Sequence, residues 1–473
     1  MTKSDAPKSG KADKAPKKGP EAKNLLERIF RLSENGTSVR TEIVAGATTF
    51  MTMAYIIFVN PSILGAAGMD KGAVMTATVL ASAFATLVMA LAANYPFALA
   101  PGMGMNAFFT YTVVLGLGYS WQTALAAVFL SACINLCVTL SGAREHIIND
   151  VPMSLKMALG VGIGLFIAFI GLKNGGVIVP NPGTTVSLIN PRYFTDPELT
   201  KLLPAGTTPA GVILFIIGLA VTAFLVVKNV RGSLLWGVLI TTLIGIPLGV
   251  TRIPAGFVPF AAPPSISSTF LALDLKSVLT AAMVPIIFTM AFTDLFDTVG
   301  TFVGVASKAG MLDKDGRLPR GGRALVADSF GSFLGALLGT SNTTTYVESA
   351  AGVAQGGRTG LTGLTVTVLF LLSLFISPIV GIIPSAATAP VLVIVGIFMM
   401  EPVMRIDFTD YLTAIPAFLT IVMMPLAFSI AEGIVAGIVT YVVLHILAGR
   451  AKEIRPTMWV LGTLFFLRYL LLG

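Results

Sequence analysis

The stretch TSNTTTYVES, residues 340–349, places seven hydroxyl- or amide-bearing side chains in a row between two apolar, glycine-rich segments. A carboxylate, Glu348, follows two positions after that run. Inside a membrane, such polar and non-helical chain is tolerated only where protein or a water-filled cavity satisfies its hydrogen bonds. If the flanking segments cross a membrane, the stretch therefore predicts a polar site at membrane depth.

The composition indicates an all-α polytopic membrane protein. Of 473 residues, 55% are hydrophobic and 11% are charged, and the mean hydropathy is +0.86. Crossing a bilayer takes about 20 apolar residues in a helix. Residues 457–472, which contain Arg468, are predicted to form an interfacial helix. We predict fourteen membrane-spanning segments, at residues 43–64, 73–94, 97–115, 121–140, 154–172, 209–227, 232–250, 278–303, 326–340, 342–356, 360–380, 386–400, 411–428 and 429–447.

The distribution of basic residues sets the predicted orientation. With the N-terminal tail inside, 25 of the 31 lysines and arginines fall in the tail or on the inner side, and 6 fall outside. Because inner loops are enriched in Lys and Arg, we expect both termini in the cytoplasm and the protein in the plasma (inner) membrane. Residues 1–24 are rich in Lys, Pro and Ala and are predicted to be disordered. Their charge favours contact with the lipid bilayer over binding of nucleic acid.

Two broken helices are predicted at matching positions. Residues 97–114 and 340–356 each open with a polar or Pro/Gly-broken stretch and continue as a helix, with Asn106 and Glu348 in similar places. Seven predicted spans separate them, and an odd number makes the second copy inverted. Broken helices at matching positions of inverted halves are typical of the binding site of a secondary transporter.

Three carboxylates, Asp294, Asp297 and Glu348, fall well inside predicted spans, whereas Asp328 and Glu432 are predicted nearer span ends, solvated by water or headgroups. The two aspartates at 294 and 297 are three residues apart and so share one helix face. A buried carboxylate without a cation is costly and tends to take up a proton. Because such a group can load and release a proton, we predict Asp297 and Glu348 as proton-coupling residues.

The glycines of APGMGMNAFF have two readings that remain open. The pattern Gly102, Gly104, Ala107 formally matches G-x-G-x-x-A, but a dinucleotide site also needs a preceding strand and an α/β unit, and because neither is predicted here we reject that interpretation. In a membrane protein, Pro101 would break the helix, and the new helix start would present free N–H groups beside Asn106. The alternative is that the glycines only allow close helix packing.

Enzyme and metal chemistry are disfavoured. The chain has no H-E-x-x-H, G-x-S-x-G or G-x-x-x-x-G-K-[ST] motif and only two histidines. Cys133 and Cys137 have no histidine nearby to complete a metal site. We therefore predict neither an enzyme nor a metalloprotein.

Four segments closely resemble the nucleobase–cation symporter-2 superfamily, and within it the AzgA-like branch of hypoxanthine/guanine/adenine permeases. They are LAPGMGMNAFFTY, FTDLFDTVGT, MLDKDGRLPRGGRALVADS and TSNTTTYVESAAGVAQGGRTGLT. The resemblance runs from about residue 37 to 450. It implies two inverted seven-span repeats, with short antiparallel strands at the start of spans 3 and 10, near 99–104 and 341–346.

The resemblance also implies a core domain of spans 1–4 and 8–11 and a gate domain of spans 5–7 and 12–14. An elevator-like displacement of one against the other is favoured. In residue numbers, the predicted division is a basic cytoplasmic tail (1–38), two core segments (39–142 and 278–380), two gate segments (143–277 and 381–448) and a C-terminal interfacial segment (449–473).

The function implied by the resemblance is uptake of purines with protons, with the proton as coupling ion and no cofactor. Guanine and hypoxanthine are favoured and adenine is left open. A carboxylate can accept two parallel N–H groups, and an amide can read a donor beside an acceptor. Whether the protein works alone or as a homodimer is also left open. The implied substrate-binding residues are Asn106, Asp294, Glu348, Gly104, Asn342 and Thr343, with Asp297 at the substrate or proton-linked position.

Two other transport functions fit the sequence less well. An anion transporter with the same seven-plus-seven fold, such as the sulfate/bicarbonate type, would need positive charge at the paired helix starts. This chain instead offers Asn106 and carboxylates there. A passive channel could be lined by the same carboxylates, but paired broken helices in inverted repeats argue against a continuous pore.

Overall fold

The computed structural model of the chain describes residues 25–142, 150–181, 183–201, 203, 207–311 and 318–472. The tail predicted to be disordered, 1–24, lies outside the described residues. The α-helices are α1 (Leu25–Phe30), α2 (Val39–Met53), α3 (Ile56–Ala66), α4 (Lys71–Val88), α5 (Met103–Ala107), α6 (Trp121–Leu140), α7 (Met153–Asn174), α8 (Arg192–Thr195), α9 (Pro197–Thr200), α10 (Pro209–Val227), α11 (Ser233–Gly245), α12 (Leu275–Val278), α13 (Val284–Ala309), α14 (Gly321–Leu338), α15 (Ser349–Ala354), α16 (Gly360–Ser373), α17 (Ser377–Ile382), α18 (Ser385–Met399), α19 (Tyr411–Leu426), α20 (Ile430–Leu447) and α21 (Pro456–Leu472). The π-helical segments Met89–Ala93 and Phe108–Gly116 continue α4 and α5. The strands are β1 (Leu99–Pro101), β2 (Ile178–Asn181), β3 (Thr185–Leu188) and β4 (Thr343–Thr345).

The protein is a multi-pass membrane protein. Within the described ranges, nine helical segments are long and apolar enough to cross a bilayer. Two predicted spans, 121–140 and 209–227, coincide with α6 and α10. These helices begin after polar caps: the hydroxyl oxygens of Ser120 and Thr208 accept the N–H groups of Thr123 and Gly211 at 3.1 Å. The full count of fourteen spans stays a prediction.

The two short strands that open the broken helices pair with each other. β1 and β4 run antiparallel, with Leu99 opposite Thr345 and Pro101 opposite Thr343. The N–H of Gly102 continues the ladder by donating to the carbonyl of Asn342 at 3.0 Å. Both strands are buried and lie inside the ranges that the resemblance implied. Pairing satisfies backbone groups that a helix break would otherwise leave without partners in an apolar environment.

A second antiparallel pair, β2 with β3, lies between α7 and α10 and was not predicted. Its fold is held by Tyr193, which is 1% exposed. The Tyr193 hydroxyl donates to the carbonyl of Pro180 at 3.1 Å and lies 2.9 Å from the Ser187 hydroxyl. A hydropathy search for spans does not detect a hairpin of this length.

The long helices pack in two groups. In one, α7 packs against α18, α19 and α20, and α10 packs against α11 and α18. In the other, α2 and α4 pack against α16, and α14 packs against α4 and α6. The paired strands β1 and β4 are called the crossing below. They lie within the second group, since both strands contact α4 and α14.

One predicted environment is wrong. Asp328 was expected near a span end, in reach of water or headgroups, but it is fully buried. The reason is the helix start: α14 begins at Gly321 rather than at the predicted residue 326, which places Asp328 about two turns inside it. The hydroxyl of Thr298 donates to Oδ2 of Asp328 at 2.8 Å and lies 3.4 Å from that of Thr344, so this aspartate supports the strand crossing.

Candidate functional site

Asn106 lies on the first turn after β1. Helix α5 begins at Met103, directly behind the strand, so the asparagine is fully buried against the crossing. Its Oδ1 accepts a hydrogen bond from the hydroxyl of Ser341. Its Nδ2 is buried and has no partner among the described residues. The first broken helix therefore presents an unused amide donor.

Asp294 is held by two amides. Nδ2 of Asn135 donates to its Oδ2 at 2.8 Å, and Nδ2 of Asn342 donates to its Oδ1. The aspartate is 1% exposed. The other end of the Asn342 amide, Oδ1, is buried and finds no partner in the described part of the chain. Oδ1 of Asn342 is thus an unused hydrogen-bond acceptor on the second broken helix. The bond from Nδ2 of Asn342 to Asp294 sets the direction in which that oxygen points.

Glu348 comes just before α15 and is half-buried. The hydroxyl of Tyr55 donates to its Oε1 at 2.7 Å. Tyr55 lies in the break between α2 and α3 and is 1% exposed. Next to it, the hydroxyl of Tyr346 donates to the carbonyl of Pro101 at 2.6 Å. Two buried tyrosines therefore tie the second broken helix to the first span and to β1.

The remaining predicted site residues divide between the crossing and its surroundings. Asp297 lies one turn beyond Asp294 on α13, half-buried, and accepts no hydrogen bond from the described residues. Thr343 lies in β4, and its buried Oγ1 has no described partner. Gly104 faces helix α7 instead: a Cβ built there would come 2.5 Å from Cγ2 of Ile163. The structure therefore gives Gly104 a packing contact, the second of its two readings.

Two of the residues at the site were missed by sequence reasoning, Asn135 and Tyr55. Asn135 had a local signal, because it is an amide in the middle of the apolar helix SACINLC. A polar side chain inside a membrane span is costly and marks a functional or packing site. Tyr55 had no comparable signal, since an aromatic side chain in an apolar span is ordinary.

A cavity of about 290 Å³ is lined by Phe108, two positions after Asn106, but its lining does not include Asn106, Asp294, Asn342 or Glu348. Five aromatic residues lie close in sequence to the predicted site residues, and only the first lines this cavity: Phe108, Phe109, Phe292, Phe296 and Tyr346. Phe109 is fully buried in the core, and the rings of Phe292 and Phe296 pack against each other at an angle of 49°, with their centroids 4.6 Å apart. The polar and aromatic lining includes Phe108, Tyr111, Thr289, Phe428, Ser429 and Glu432.

The site has the chemistry for a neutral, polar ligand. It offers one amide donor, one amide acceptor and a carboxylate, Glu348, with one oxygen already bonded. Among the described residues, no group of three His, Cys, Asp or Glu side chains could hold a metal ion. The ion pairs found within the described part of the chain are exposed, and none of them involves Asp297 or Glu348.

The sequence of this chain matches the model of the Permease family over residues 40–436. The chain belongs to that family. This permease is 43% identical to the adenine permease AdeP of Escherichia coli over 444 residues, which are 94% of this chain and 96% of AdeP. It is also 43% identical to the guanine/hypoxanthine permease PbuG of Bacillus subtilis over 458 residues, covering 94% of this chain and all of PbuG. The resemblance found in the motifs is confirmed, and the protein is a transporter rather than an enzyme.

The fold of this permease is shared with a solved transporter. The transmembrane domain of the cyanobacterium bicarbonate transporter BicA superposes with a TM-score of 0.61, covering 84% of this permease and 97% of that domain. The sequence identity is 16%, so the match concerns the fold alone. It confirms the predicted class of membrane fold.

Proposed function

We propose that this permease is a secondary active transporter that imports purine nucleobases across the plasma membrane by proton symport and alternating access. Guanine and hypoxanthine are the proposed main substrates, and adenine is a further one. The similarity to AdeP and PbuG along nearly the whole chain supports the purine class.

The observation that carries the proposal is the pair of unused amide groups, Nδ2 of Asn106 and Oδ1 of Asn342. A buried polar group without a partner costs about 1–3 kcal/mol. A ligand edge with an acceptor beside a donor removes both penalties at once. The carbonyl and adjacent N–H of an oxopurine form such an edge, and the ring nitrogen and amino group of adenine form one in the opposite order.

Proton coupling is assigned to Asp297 and Glu348. Neither carboxylate forms an ion pair with a described residue, so taking up a proton removes the cost of moving a bare charge through the membrane. Because a purine is neutral, its accumulation must draw on an ion. One proton crossing 100 mV supplies about 2.3 kcal/mol, or roughly fiftyfold accumulation. The proton is the coupling ion, and no cofactor is proposed.

For alternating access we retain the division into core segments (39–142 and 278–380) and gate segments (143–277 and 381–448). The contact of Gly104 with Ile163 lies on the boundary between them. So does the hydrogen bond from the hydroxyl of Thr112 to the carbonyl of Phe428, at 2.9 Å. Both termini are proposed to be cytoplasmic, and assembly as a homodimer stays open.

The test is uptake of labelled hypoxanthine by cells that lack their own purine carriers, with and without a protonophore. Excess unlabelled guanine, adenine, xanthine and uracil are added in turn. We expect uptake that the protonophore abolishes and that purines, but not uracil, inhibit. Absence of uptake by a correctly inserted protein would overturn the proposal and favour anion transport, which the shared fold with BicA allows.

A further inference from the structure

Asn135 is a buried amide in the middle of α6, and it joins two acceptors on α13. The side chain is 1% exposed. Its Nδ2 donates to the carbonyl of Ala291 at 3.1 Å and to Oδ2 of Asp294 at 2.8 Å. These acceptors are three positions apart on one helix face. Asn135 therefore fixes α6 to the turn of α13 that carries the aspartate, and fixes the carboxylate within that turn.

Asp294, held in place by Asn135, in turn fixes the orientation of the Asn342 side chain. An ionised carboxylate can only accept hydrogen bonds, so the end of the Asn342 amide that faces it must be the NH2 group. The other end, Oδ1, then points away from Asp294, and it is buried without a described partner. The terminal torsion of an asparagine side chain is soft, with two roughly equivalent orientations. Without a fixed acceptor at Asp294, the amide of Asn342 could turn and present a donor instead.

We propose that Asn135 is a positioning residue that acts through Asp294 to hold Oδ1 of Asn342 toward the ligand, so that the site selects ligands with an N–H at that position. This inference rests on the proposed function, because it concerns the purine site. In hypoxanthine and guanine, N1–H lies beside the C6 carbonyl. The N–H meets Oδ1 of Asn342, and the carbonyl accepts from Nδ2 of Asn106. Methylation of N1 removes the selected group.

We expect a loss of selectivity when Asn135 is replaced by Leu, whose side chain has the same branched shape and number of heavy atoms but no amide. Binding of labelled hypoxanthine is measured with the purified full-length protein, and 1-methylhypoxanthine is the competitor. We expect the Asn135→Leu protein to bind hypoxanthine about tenfold more weakly, the effect of losing one well-placed hydrogen bond. Its affinity for 1-methylhypoxanthine should change little, so the ratio of the two affinities falls about tenfold.

Two controls separate positioning from a structural role. Ser131 lies one turn earlier on α6, is 2% exposed and donates to the carbonyl of Val128 at 2.7 Å. Ser131→Ala removes a buried hydrogen bond from the same helix and should leave the affinity ratio unchanged. Asn342→Ala should lower the ratio by itself, and adding Asn135→Leu to it should lower the ratio no further. If Asn135→Leu does not fold, Asn135→Ser, which leaves a shorter polar side chain, takes its place.

The possible results separate the positioning role of Asn135 from the proposed transport of purines. A variant at Asn135 that weakens both ligands equally, or that keeps the wild-type ratio, overturns the inference and leaves the proposed function intact. Additive effects of the changes at Asn135 and Asn342 on the ratio would also overturn it. If the wild-type protein binds no hypoxanthine at all, the proposed function is overturned and the inference with it.

Discussion

The hydroxyl of Tyr55 donates a hydrogen bond to Oε1 of Glu348 across 2.7 Å, joining residues that are 293 positions apart. Tyr55 lies where the first membrane helix breaks, and Glu348 lies where the second broken helix starts. The contact leaves Oε2 of Glu348 as the carboxylate oxygen for a ligand or a proton. It also makes the environment of Glu348 depend on the first span.

Replacing Tyr55 with Phe should weaken ligand binding. The variant removes a hydrogen bond to a charged acceptor, worth about 1.5–3 kcal/mol, so hypoxanthine should bind roughly tenfold to a hundredfold more weakly. Equilibrium binding to the purified protein measures this effect. Tyr193→Phe is the matched control, because Tyr193 is equally buried and hydrogen-bonded but lies at the β2–β3 hairpin. Wild-type affinity in Tyr55→Phe would contradict the role assigned to this contact.

Replacing Glu348 with Gln should abolish proton-driven uptake while the protein still reaches the membrane. The amide keeps the shape and an acceptor for Tyr55, but it cannot take up a proton at physiological pH. Uptake of labelled hypoxanthine, normalised to the amount of protein in the membrane, gives the result. A variant with normal, protonophore-sensitive accumulation would show that the proton is carried elsewhere.

Replacing Gly104 with Ala should destabilise the protein through a clash with Ile163. The added Cβ would come 2.5 Å from Cγ2 of that residue, and such overpacking costs typically about 1–3 kcal/mol. Thermal unfolding of the purified protein should show the loss. The double variant Gly104→Ala, Ile163→Ala makes room for the Cβ and should recover much of the stability relative to Ile163→Ala alone. If stability is unchanged but affinity falls, Gly104 contacts the ligand instead.

Replacing Phe108 with Leu should weaken hypoxanthine binding several-fold. Phe108 follows Asn106 by two positions and lines the cavity, and an aromatic ring stacked on a flat ligand contributes about 0.5–1.5 kcal/mol beyond its buried area. Phe109→Leu is the control, since Phe109 is its neighbour in sequence and is equally buried but does not line the cavity. We expect Phe109→Leu to lower the melting temperature and to leave affinity unchanged. The reverse pattern would place the ligand outside this cavity.

Local features of the sequence predict most of the fold. Apolar runs of helical length predict spans such as 121–140, and the structure has a helix at these residues. Pro101 and the polar run that starts at Thr340 mark the two helix breaks, because a membrane helix cannot continue through them without partners for its backbone. Helix ends are less well determined. The start of α14 at Gly321, ahead of the predicted 326, changes the environment of Asp328 from solvated to buried.

The sequence likewise predicts some residues of the candidate site but not the contacts that they make. Asn106, Glu348 and the paired aspartates stand out in the sequence because polar groups are costly in an apolar span. Of their partners, Asn135 carries the same signal, whereas Tyr55 does not. Gly104 lies in the same motif as Asn106, yet it packs closely against Ile163 of helix α7. A motif identifies which residues are unusual, but it does not say which of them face the ligand.

The sequence by itself determined that this chain is a membrane protein and where the two helices of the site break, because hydropathy and backbone preferences act over about twenty residues or fewer. The family was identified from the likeness of its motifs and of the whole sequence to known permeases. Only the tertiary structure decided how the site is built. Asn135 reaches Asp294 across 159 positions, and Tyr55 reaches Glu348 across 293. Such contacts depend on how whole helices pack against one another, and the direction of each hydrogen bond depends on the neighbour that packing supplies.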